Sequence, residues 1–265
     1  MKTIIRNATI VNEGRRFIGS VVIEDETIQQ VLEGDDSTQI YDTEIDATGL
    51  YLFPGVIDDH VHFREPGLTH KADIASESRT AAAGGVTSFM DMPNTNPPTT
   101  TIELLEEKFR IAEKNSRINY SFFFGASNEN TDALVKLDRQ RIPGVKVFMG
   151  SSTGNMLVDR EESLRTIFAT SPLLLMAHCE DTDIINQNIK DFKKRYKGQN
   201  DFPVRYHSRI RNTEACYASS SLAVQMAKET GARLHIAHVS TARELELFDS
   251  KPIEEKSITA EAVIA

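Results

Sequence analysis

Three side chains able to bind a metal or an anion occupy alternate positions in the segment from Ile57 to Gly67, which reads IDDHVHFREPG. They are His60, His62 and Arg64. Alternate residues of a β-strand point to the same side. Two imidazoles on one face supply half of a tetrahedral site suited to zinc and similar metals. A pair of surface or hydrogen-bonded core histidines is the alternative, but the position at the end of an apolar run and before a Pro-Gly turn favours a metal site.

A lysine inside an apolar strand is the second candidate for chemistry. Lys146 lies in the run GVKVF and points opposite to Val145 and Val147. Burial would lower the pKa of its amine and make it nucleophilic. A neutral lysine takes up carbon dioxide to give a carbamate, an anionic oxygen ligand able to bridge two metals. The equal alternative is a lysine whose amine reaches solvent at the rim of a barrel fold.

Two further histidines end apolar runs. His178 closes the run LLLMAH, and His238 lies in the segment HIAHVS with His235. By the period of two, His238 shares a face with Ile236, and His235 points the other way. We therefore expect only one of the pair to face a barrel interior. We predict that it is His238, which is nearer the carboxyl end of its strand, where barrel active sites lie. His235 is then an outer, packed or hydrogen-bonded histidine.

The remaining polar candidates have structural interpretations. His70 begins a helical pattern, and His207 lies in the basic, irregular residues 189–211. We interpret that stretch as a long loop over the mouth of a barrel, and a solvated connector is an equal alternative. We expect a structural role for His207, with a contact at the mouth of the barrel as the lesser alternative. Asp58 shares the face of His60 and could orient its ring.

From residue 51 onward, strand patterns alternate with helical patterns, which predicts parallel strands joined by helices. The strands are predicted at Leu52–Asp58, Val86–Asp91, Asn119–Gly125, Gly144–Phe148, Leu173–His178, Arg233–Val239 and Ser257–Glu261. The helices are predicted at Lys71–Ala83, Ile102–Glu113, Asp132–Gln140, Arg160–Thr170, Asn212–Glu229 and Thr241–Asp249.

This rhythm predicts an α/β fold, a (β/α)8 TIM-type barrel rather than an open doubly wound sheet. About seven of the eight strands are present, so we expect the chain to be a segment of a longer protein. Residues 1–50 predict a separate small antiparallel sheet, and residues 51–265 the incomplete barrel.

Composition excludes several classes of protein. The chain has 265 residues, a net charge of −9 and no basic cluster that offsets this charge, which argues against nucleic-acid binding. Cys179 and Cys216 form no disulfide framework, which indicates a reducing compartment. The sequence has no signal-peptide pattern and no apolar run of membrane-spanning length. We expect a cytoplasmic protein that binds neither nucleic acid nor membrane.

The chain resembles the amidohydrolase superfamily of metal-dependent barrels, and specifically the dihydroorotases related to allantoinases and hydantoinases. The segments that carry the resemblance are residues 54–67, 81–100, 144–154, 177–181, 207–215 and 235–241. The resemblance implies that His60 and His62 bind one metal, that carboxylated Lys146 bridges two, and that His178 and His238 hold the second. It also implies that residues 1–50 are the first part of a small β-sandwich.

Two residues decide the substrate within this resemblance. Dihydroorotate carries a carboxylate, which a guanidinium binds bidentately while an amide N–H adds a further donor. The dihydroorotases place these groups at Arg64 and at Asn94 of the segment MPNT, whereas allantoinases tend to have Asn at the first position and hydantoinases lack both features. A rim salt bridge from Arg64 to Glu65 or Asp91 is the alternative.

The resemblance therefore implies a dihydroorotase of pyrimidine biosynthesis, which hydrolyses dihydroorotate reversibly to carbamoyl aspartate. We expect two divalent cations (zinc before manganese), carbon dioxide for Lys146, a small-molecule substrate and a homo-oligomer. The general acid/base implied by the resemblance is an aspartate on an eighth strand, beyond these residues. The alternatives are an allantoinase or hydantoinase, and a non-catalytic scaffold for a transcarbamoylase.

Overall fold

A computed structural model describes residues 1–34, 39–150, 155–196 and 203–262 of the chain. The chain divides into two compact units, Met1–Val56 and Ile57–Ala265. Parts of two segments named above, residues 151–154 and 197–202, lie outside the described residues.

The first unit is a small sheet with the order β3-β2-β1-β4 and with β5 paired to β1. Its strands are β1 (Lys2–Asn12), β2 (Arg15–Glu24), β3 (Thr27–Glu33), β4 (Thr43–Asp46) and β5 (Tyr51–Leu52). The first three strands are antiparallel, as expected, whereas β4 and β5 pair with β1 in parallel. Ala8, Ile10, Val21 and Ala47 form its buried apolar cluster.

The second unit alternates strands and helices. Its strands are β6 (Val56–Val61), β7 (Val86–Asp91), β8 (Asn119–Phe122), β9 (Phe124–Gly125), β10 (Gly144–Phe148), β11 (Leu174–His178), β12 (Leu234–Val239) and β13 (Ile258–Ala262). Its helices are α1 (Ile74–Ala83), α2 (Ile102–Asn115), α3 (Glu161–Thr170), α4 (Thr182–Arg195), α5 (His207–Ile210) and α6 (Thr213–Thr230). Short 3-10 helices occur at Thr131–Lys136, Val204–Tyr206, Ala242–Leu247 and Ile253–Glu255.

The strands of the second unit follow one another in space in their order along the chain. One sheet has the order β6-β7-β8, and the other has the order β9-β10-β11-β12-β13. Only Phe123 separates β8 from β9, so together they occupy one strand position. The described residues thus supply seven successive strand positions, and the pairings from β9 to β13 are parallel. The predicted α/β fold with parallel strands is confirmed.

Helix starts follow from local capping groups. Asp73, Thr101, Asp181 and Asn212 each accept a hydrogen bond from a backbone N–H in the first turn of α1, α2, α4 and α6, respectively. Such side-chain acceptors satisfy amides that have no partner within the helix. At the other end, α6 stops at Gly231, whose φ of +74° is the left-handed conformation that suits glycine.

The structure corrects the interpretation of residues 189–211. Helix α4 extends through the first part of this stretch to Arg195, and Val204–Tyr206 and α5 are also helical. The basic and irregular composition of the stretch favours a loop in the sequence. Three of its basic residues, Lys193, Lys194 and Arg195, instead lie in the last turn of α4, where they interact favourably with the negative end of the helix dipole.

Three other elements differ from their predicted bounds. The helices predicted at Asp132–Gln140 and Thr241–Asp249 are only short 3-10 segments. The first strand of the second unit begins at Val56, later than predicted, because Pro54 and Gly55 separate it from β5. Strand β6 also ends later than predicted, at Val61, and therefore includes His60.

Candidate metal centre

One face of the five-stranded sheet carries several of the candidate ligands together with other polar side chains. Lys146, Met176, His235 and Thr259 are register partners along β10, β11, β12 and β13. Register partners in parallel strands share a face, and residues two positions further along stay on it. His178 and Glu261 therefore lie on the same face. Their sequence neighbours, such as Val147, Ala177 and Ile236, belong to the main apolar core.

This register corrects the expectation for His235. His235 faces the same side as Lys146 rather than the outside, and its Nδ1 lies 2.8 Å from Oγ1 of Thr259. His238 is displaced from the simple alternation, because the pairing of β12 with β13 is irregular between Ile236 and Val239. His238 has a φ of +41°, in the left-handed region. The period of two does not predict that conformation.

The backbone turn at His238 brings its ring to His178. The Nδ1 of His178 lies 2.8 Å from Nε2 of His238. The ring of His238 also lies 5.6 Å from that of His60, measured between centroids. The predicted contributions of strands β11 and β12 thus meet at one place, next to the first histidine of β6.

His60 and His62 lie together at the end of β6, with ring centroids 5.4 Å apart. The Nδ1 of His62 lies 2.8 Å from Oδ1 of Asn94, and the Nδ1 of His60 contacts Oε1 of Glu261. Asp58 does not orient the His60 ring as expected. Its Oδ1 instead accepts a hydrogen bond from the backbone N–H of His60.

Lys146 is buried, with 1% of its surface exposed. Among the described residues, its Nζ has no hydrogen-bond partner; it lies 5.6 Å from the ring centre of Phe148. Burial lowers the pKa of this amine to about 8. The alternative in which Lys146 reaches the rim is therefore wrong, because a rim lysine would have its amine in water.

Two of the histidines are neutral over the physiological range. Burial, with a smaller contribution from the Arg64 charge, lowers the pKa of His62 to about 3. Burial and the neighbouring His178 lower the pKa of His238 to about 4. The charge of Lys146 lowers both values further, so the amine is electrostatically coupled to both histidines.

The residues present fit a pair of divalent cations. Metals bind the neutral form of imidazole, and the ring nitrogens of His178 and His238, which lie 2.8 Å apart, are close enough to bind one cation together. A buried amine without a partner is the second observation, because such a group is costly unless something satisfies it. The four predicted histidine ligands therefore lie close together, and Lys146 is near enough to His62 and His238 for its charge to lower their pKa values.

Arg64 and Asn94 lie on two loops that pack closely together. Gly67 has a φ of +78°, and a Cβ at this position would lie 1.8 Å from the carbonyl oxygen of Asn96. The backbone N–H of Asn96 donates to the carbonyl of Pro66 at 3.1 Å. The loop after β6 is thus held against the loop after β7.

The expected alternative partners of Arg64 are engaged elsewhere. Oε2 of Glu65 accepts from the backbone N–H of Ile74 at 2.9 Å, and Asp91 forms a salt bridge with Lys108. Within the described part of the chain, Arg64 makes no salt bridge. Its φ of +66° turns it out of the strand alternation.

Two carboxylates at the site were not identified from the sequence. Nε2 of His178 lies 3.0 Å from Oε2 of Glu180, which also forms an ion pair with Arg211. Glu261 contacts His60 and the backbone N–H of His238. The sequence carries a signal for each of these carboxylates. Glu180 lies two residues after His178, and Glu261 is a charged residue near the end of a predicted strand.

Asp59, His235 and Glu261 also place potential ligand atoms within 4.8 Å of one another. Because Glu261 is already hydrogen-bonded to His60, we assign no separate metal site to this group. Among the described residues, no helix is long and apolar enough to cross a membrane.

Comparison with known proteins identifies the family. Residues 49–244 match the family model described as dihydro-orotase-like. A dihydroorotase of Halobacterium salinarum is 36% identical over 242 residues, which cover 90% of this chain and 53% of that protein. An allantoinase of Deinococcus radiodurans is 34% identical over 203 residues, covering 74% of this chain and 44% of that protein.

The fold is also that of solved structures. The L-hydantoinase (dihydropyrimidinase) from Arthrobacter aurescens superposes with a TM-score of 0.88 at 25% identity, over 98% of this chain and 58% of that chain. The chain spans about half the length of the curated relatives that it matches. The predicted TIM-type α/β fold is thus the fold of its structural neighbours, and the chain belongs to the dihydroorotase-like family.

Proposed function

We propose that the protein to which this chain belongs is a dihydroorotase, which hydrolyses dihydroorotate reversibly to carbamoyl aspartate in pyrimidine biosynthesis. The similarity to dihydroorotases over most of the chain supports this assignment. The observation that carries it is the placement of Asn94, whose Oδ1 lies 2.8 Å from the ring of His62 on a loop packed against the one that bears Arg64.

Arg64 and Asn94 can together bind the substrate carboxylate. Because Oδ1 of Asn94 accepts from Nδ1–H of His62, its amide nitrogen is left to donate to a ligand. The guanidinium of Arg64 makes no salt bridge among the described residues and offers a planar pair of donors for a carboxylate. Asn94 therefore orients a metal ligand with one atom and binds substrate with another.

The proposed cofactors are two divalent cations, with zinc favoured by the imidazole ligands. His60 and His62 would hold one ion, His178 and His238 the other, and Lys146 would bridge them as its carbamate. When bound, such ions polarise the ring amide carbonyl and lower the pKa of water, which supplies the nucleophile for ring opening.

The contribution of Lys146 depends on its neutral amine. A pKa of about 8 raises the neutral fraction at pH 7 roughly 300-fold over an ordinary lysine. The neutral nitrogen forms a bond to the carbon of carbon dioxide and releases one proton, which leaves an anionic carbamate. This anion would give Lys146 a negative charge able to bind the cations.

The finer assignments of location and assembly are also proposals. We infer a cytoplasmic enzyme from the cysteine usage, and a homo-oligomer. Size-exclusion chromatography with light scattering of the full-length protein would test the assembly, and a monomer would contradict it.

A cyclic-ureide hydrolase is the second candidate, because an allantoinase and hydantoinases are among the relatives. The deciding experiment measures kcat/KM of the zinc-loaded full-length protein for dihydroorotate, allantoin and hydantoin. We expect dihydroorotate to be preferred by at least about 100-fold, since a buried charge pair contributes several kcal/mol. Preference for an uncharged ring would support the second candidate. A protein that binds no metal and hydrolyses none of the three would revive the scaffold role.

A further inference from the structure

The carboxylate of Glu261 contacts three histidines from two strands. Its Oε1 contacts Nδ1 of His60 and accepts a hydrogen bond of 2.9 Å from the backbone N–H of His238. Its Oε2 lies 3.5 Å from Nε2 of His235. Strand β13 thus reaches the candidate metal centre through one side chain.

These contacts join the two pairs of proposed ligands. Asn94 contacts His62, and Glu180 contacts His178, so each of these serves one pair. Glu261 contacts His60, from the first pair, and His238, from the second. Glu261 is therefore placed to affect both pairs of proposed ligands.

The contact with His60 fixes the form of its ring. A carboxylate accepts hydrogen bonds, so its partner Nδ1 must carry the proton, and the lone pair is then on Nε2. An acceptor of this kind fixes the tautomer and orientation of a metal-binding histidine and raises its basicity.

The contact with His238 supports an unusual backbone conformation. His238 has a φ of +41°, which is rarely adopted by residues other than glycine and asparagine. Without that turn, the strand alternation would place its side chain on the opposite face, with Ile236. The hydrogen bond from the His238 amide to Glu261 therefore holds the backbone that delivers this ring to His178.

We propose that Glu261 is a positioning residue shared by both halves of the metal centre, which sets the tautomer of His60 and the backbone of His238 so that its loss weakens both metals together. This inference rests on the proposed metal-dependent function.

The test uses the full-length protein, stripped of metal and titrated with zinc against a chromophoric chelator. The variants are Glu261→Gln and Glu261→Ala, with Glu254→Gln, an exposed glutamate of the preceding 3-10 helix, as the matched control. For Glu261→Ala we expect the affinities of both zinc ions to fall about 10- to 100-fold. Glu261→Gln should lose less zinc affinity, because its amide oxygen can still accept both hydrogen bonds. Glu254→Gln should have the zinc affinities of the wild type.

A purely structural role would have a different result. It would lower the thermal unfolding midpoint of the metal-free protein while leaving both zinc affinities unchanged, and that outcome would overturn the inference. A fall confined to one ion would also contradict it. Should Glu261→Ala not fold, the two affinities of Glu261→Gln decide. If the wild type itself binds no zinc, the proposed function fails, and this inference fails with it.

Discussion

The Nδ1 of His178 lies 2.8 Å from Nε2 of His238, although the two residues are sixty positions apart in the sequence. In a protein without a metal, one of these nitrogens must donate a proton to the other. In the presence of a cation, both can be ligands. This contact brings together the two histidines proposed to hold the second metal.

Removal of either histidine should therefore remove one metal. We expect the full-length wild type to bind two zinc ions per chain, and His178→Ala or His238→Ala to bind about one tightly. Elemental analysis after gel filtration measures the ratio. His70→Ala, at an exposed position away from the site, is the control and should retain two. Full zinc content in both site variants would contradict the ligand assignment.

The carbamate on Lys146 should form faster at higher pH. Because burial lowers the pKa of this lysine to about 8, its amine is protonated below that value and neutral above it. We expect the rate of reactivation of the stripped full-length enzyme by zinc and bicarbonate to rise with pH and to level off above about pH 8. Lys146→Met should not respond to bicarbonate. A rate independent of bicarbonate in the wild type would count against the carbamate.

Arg64 should affect substrate binding and not metal content. For Arg64→Ala, we expect kcat/KM for dihydroorotate to fall about 100-fold or more, because the substrate carboxylate loses its charged partner. Arg64→Lys should recover only part of this loss, since an ammonium lacks the planar pair of donors. Zinc content measured in parallel should stay at the wild-type value. Unchanged kinetics in Arg64→Ala would refute the substrate assignment.

The buried ion pair behind the site should be important for stability. Nζ of Lys108 lies 2.5 Å from Oδ2 of Asp91, and both side chains are fully buried. Oδ1 of Asp91 accepts from the backbone N–H of Phe63, which lies between His62 and Arg64. We expect Asp91→Ala to lower the free energy of unfolding by about 3–5 kcal/mol, because it leaves Lys108 unpaired in the interior.

The comparison for this prediction is an exposed pair. Glu161→Gln removes a partner of Arg165 on the surface of α3 and should cost about 0–1 kcal/mol. Urea unfolding of the full-length protein measures both changes. Equal effects of the two substitutions would show that the buried pair has no special role.

The contact between the loop that bears Arg64 and the loop that bears Asn94 can be tested at Gly67. A Cβ there would lie 1.8 Å from the carbonyl oxygen of Asn96, whereas at Gly85, which also has a positive φ, a Cβ would have nothing within 4 Å. Gly85→Ala should therefore cost only the backbone strain of about 1–2 kcal/mol, and Gly67→Ala should cost more. Gly67→Ala should also raise KM for dihydroorotate, because it displaces Arg64 from Asn94. Similar unfolding midpoints and KM values for both variants would contradict this account.

Much of the fold could be read from local sequence patterns. The apolar runs predicted β7 and β10 at their observed bounds, and the remaining strands to within a few residues, because each run is long enough to fill one strand. The start of α6 was predicted to within one residue, whereas α1 begins three residues later than predicted, directly after its capping residue Asp73. The charged helix α4 was missed, since its stability depends on packing that its own composition does not reveal.

The sequence determined the types of the proposed ligands and their positions: His60 at the end of β6 with His62 just after it, a lysine inside β10, and a histidine on each of β11 and β12. Tertiary structure alone brought both histidines of β12 to the side of Lys146 and decided which acceptors orient the rings. His238 arrives through a positive φ that breaks the strand alternation, and Glu261 comes from a strand two hundred residues after His60. Neither follows from periodicity, because an irregular backbone and a contact between distant strands exist only once the sheet has formed.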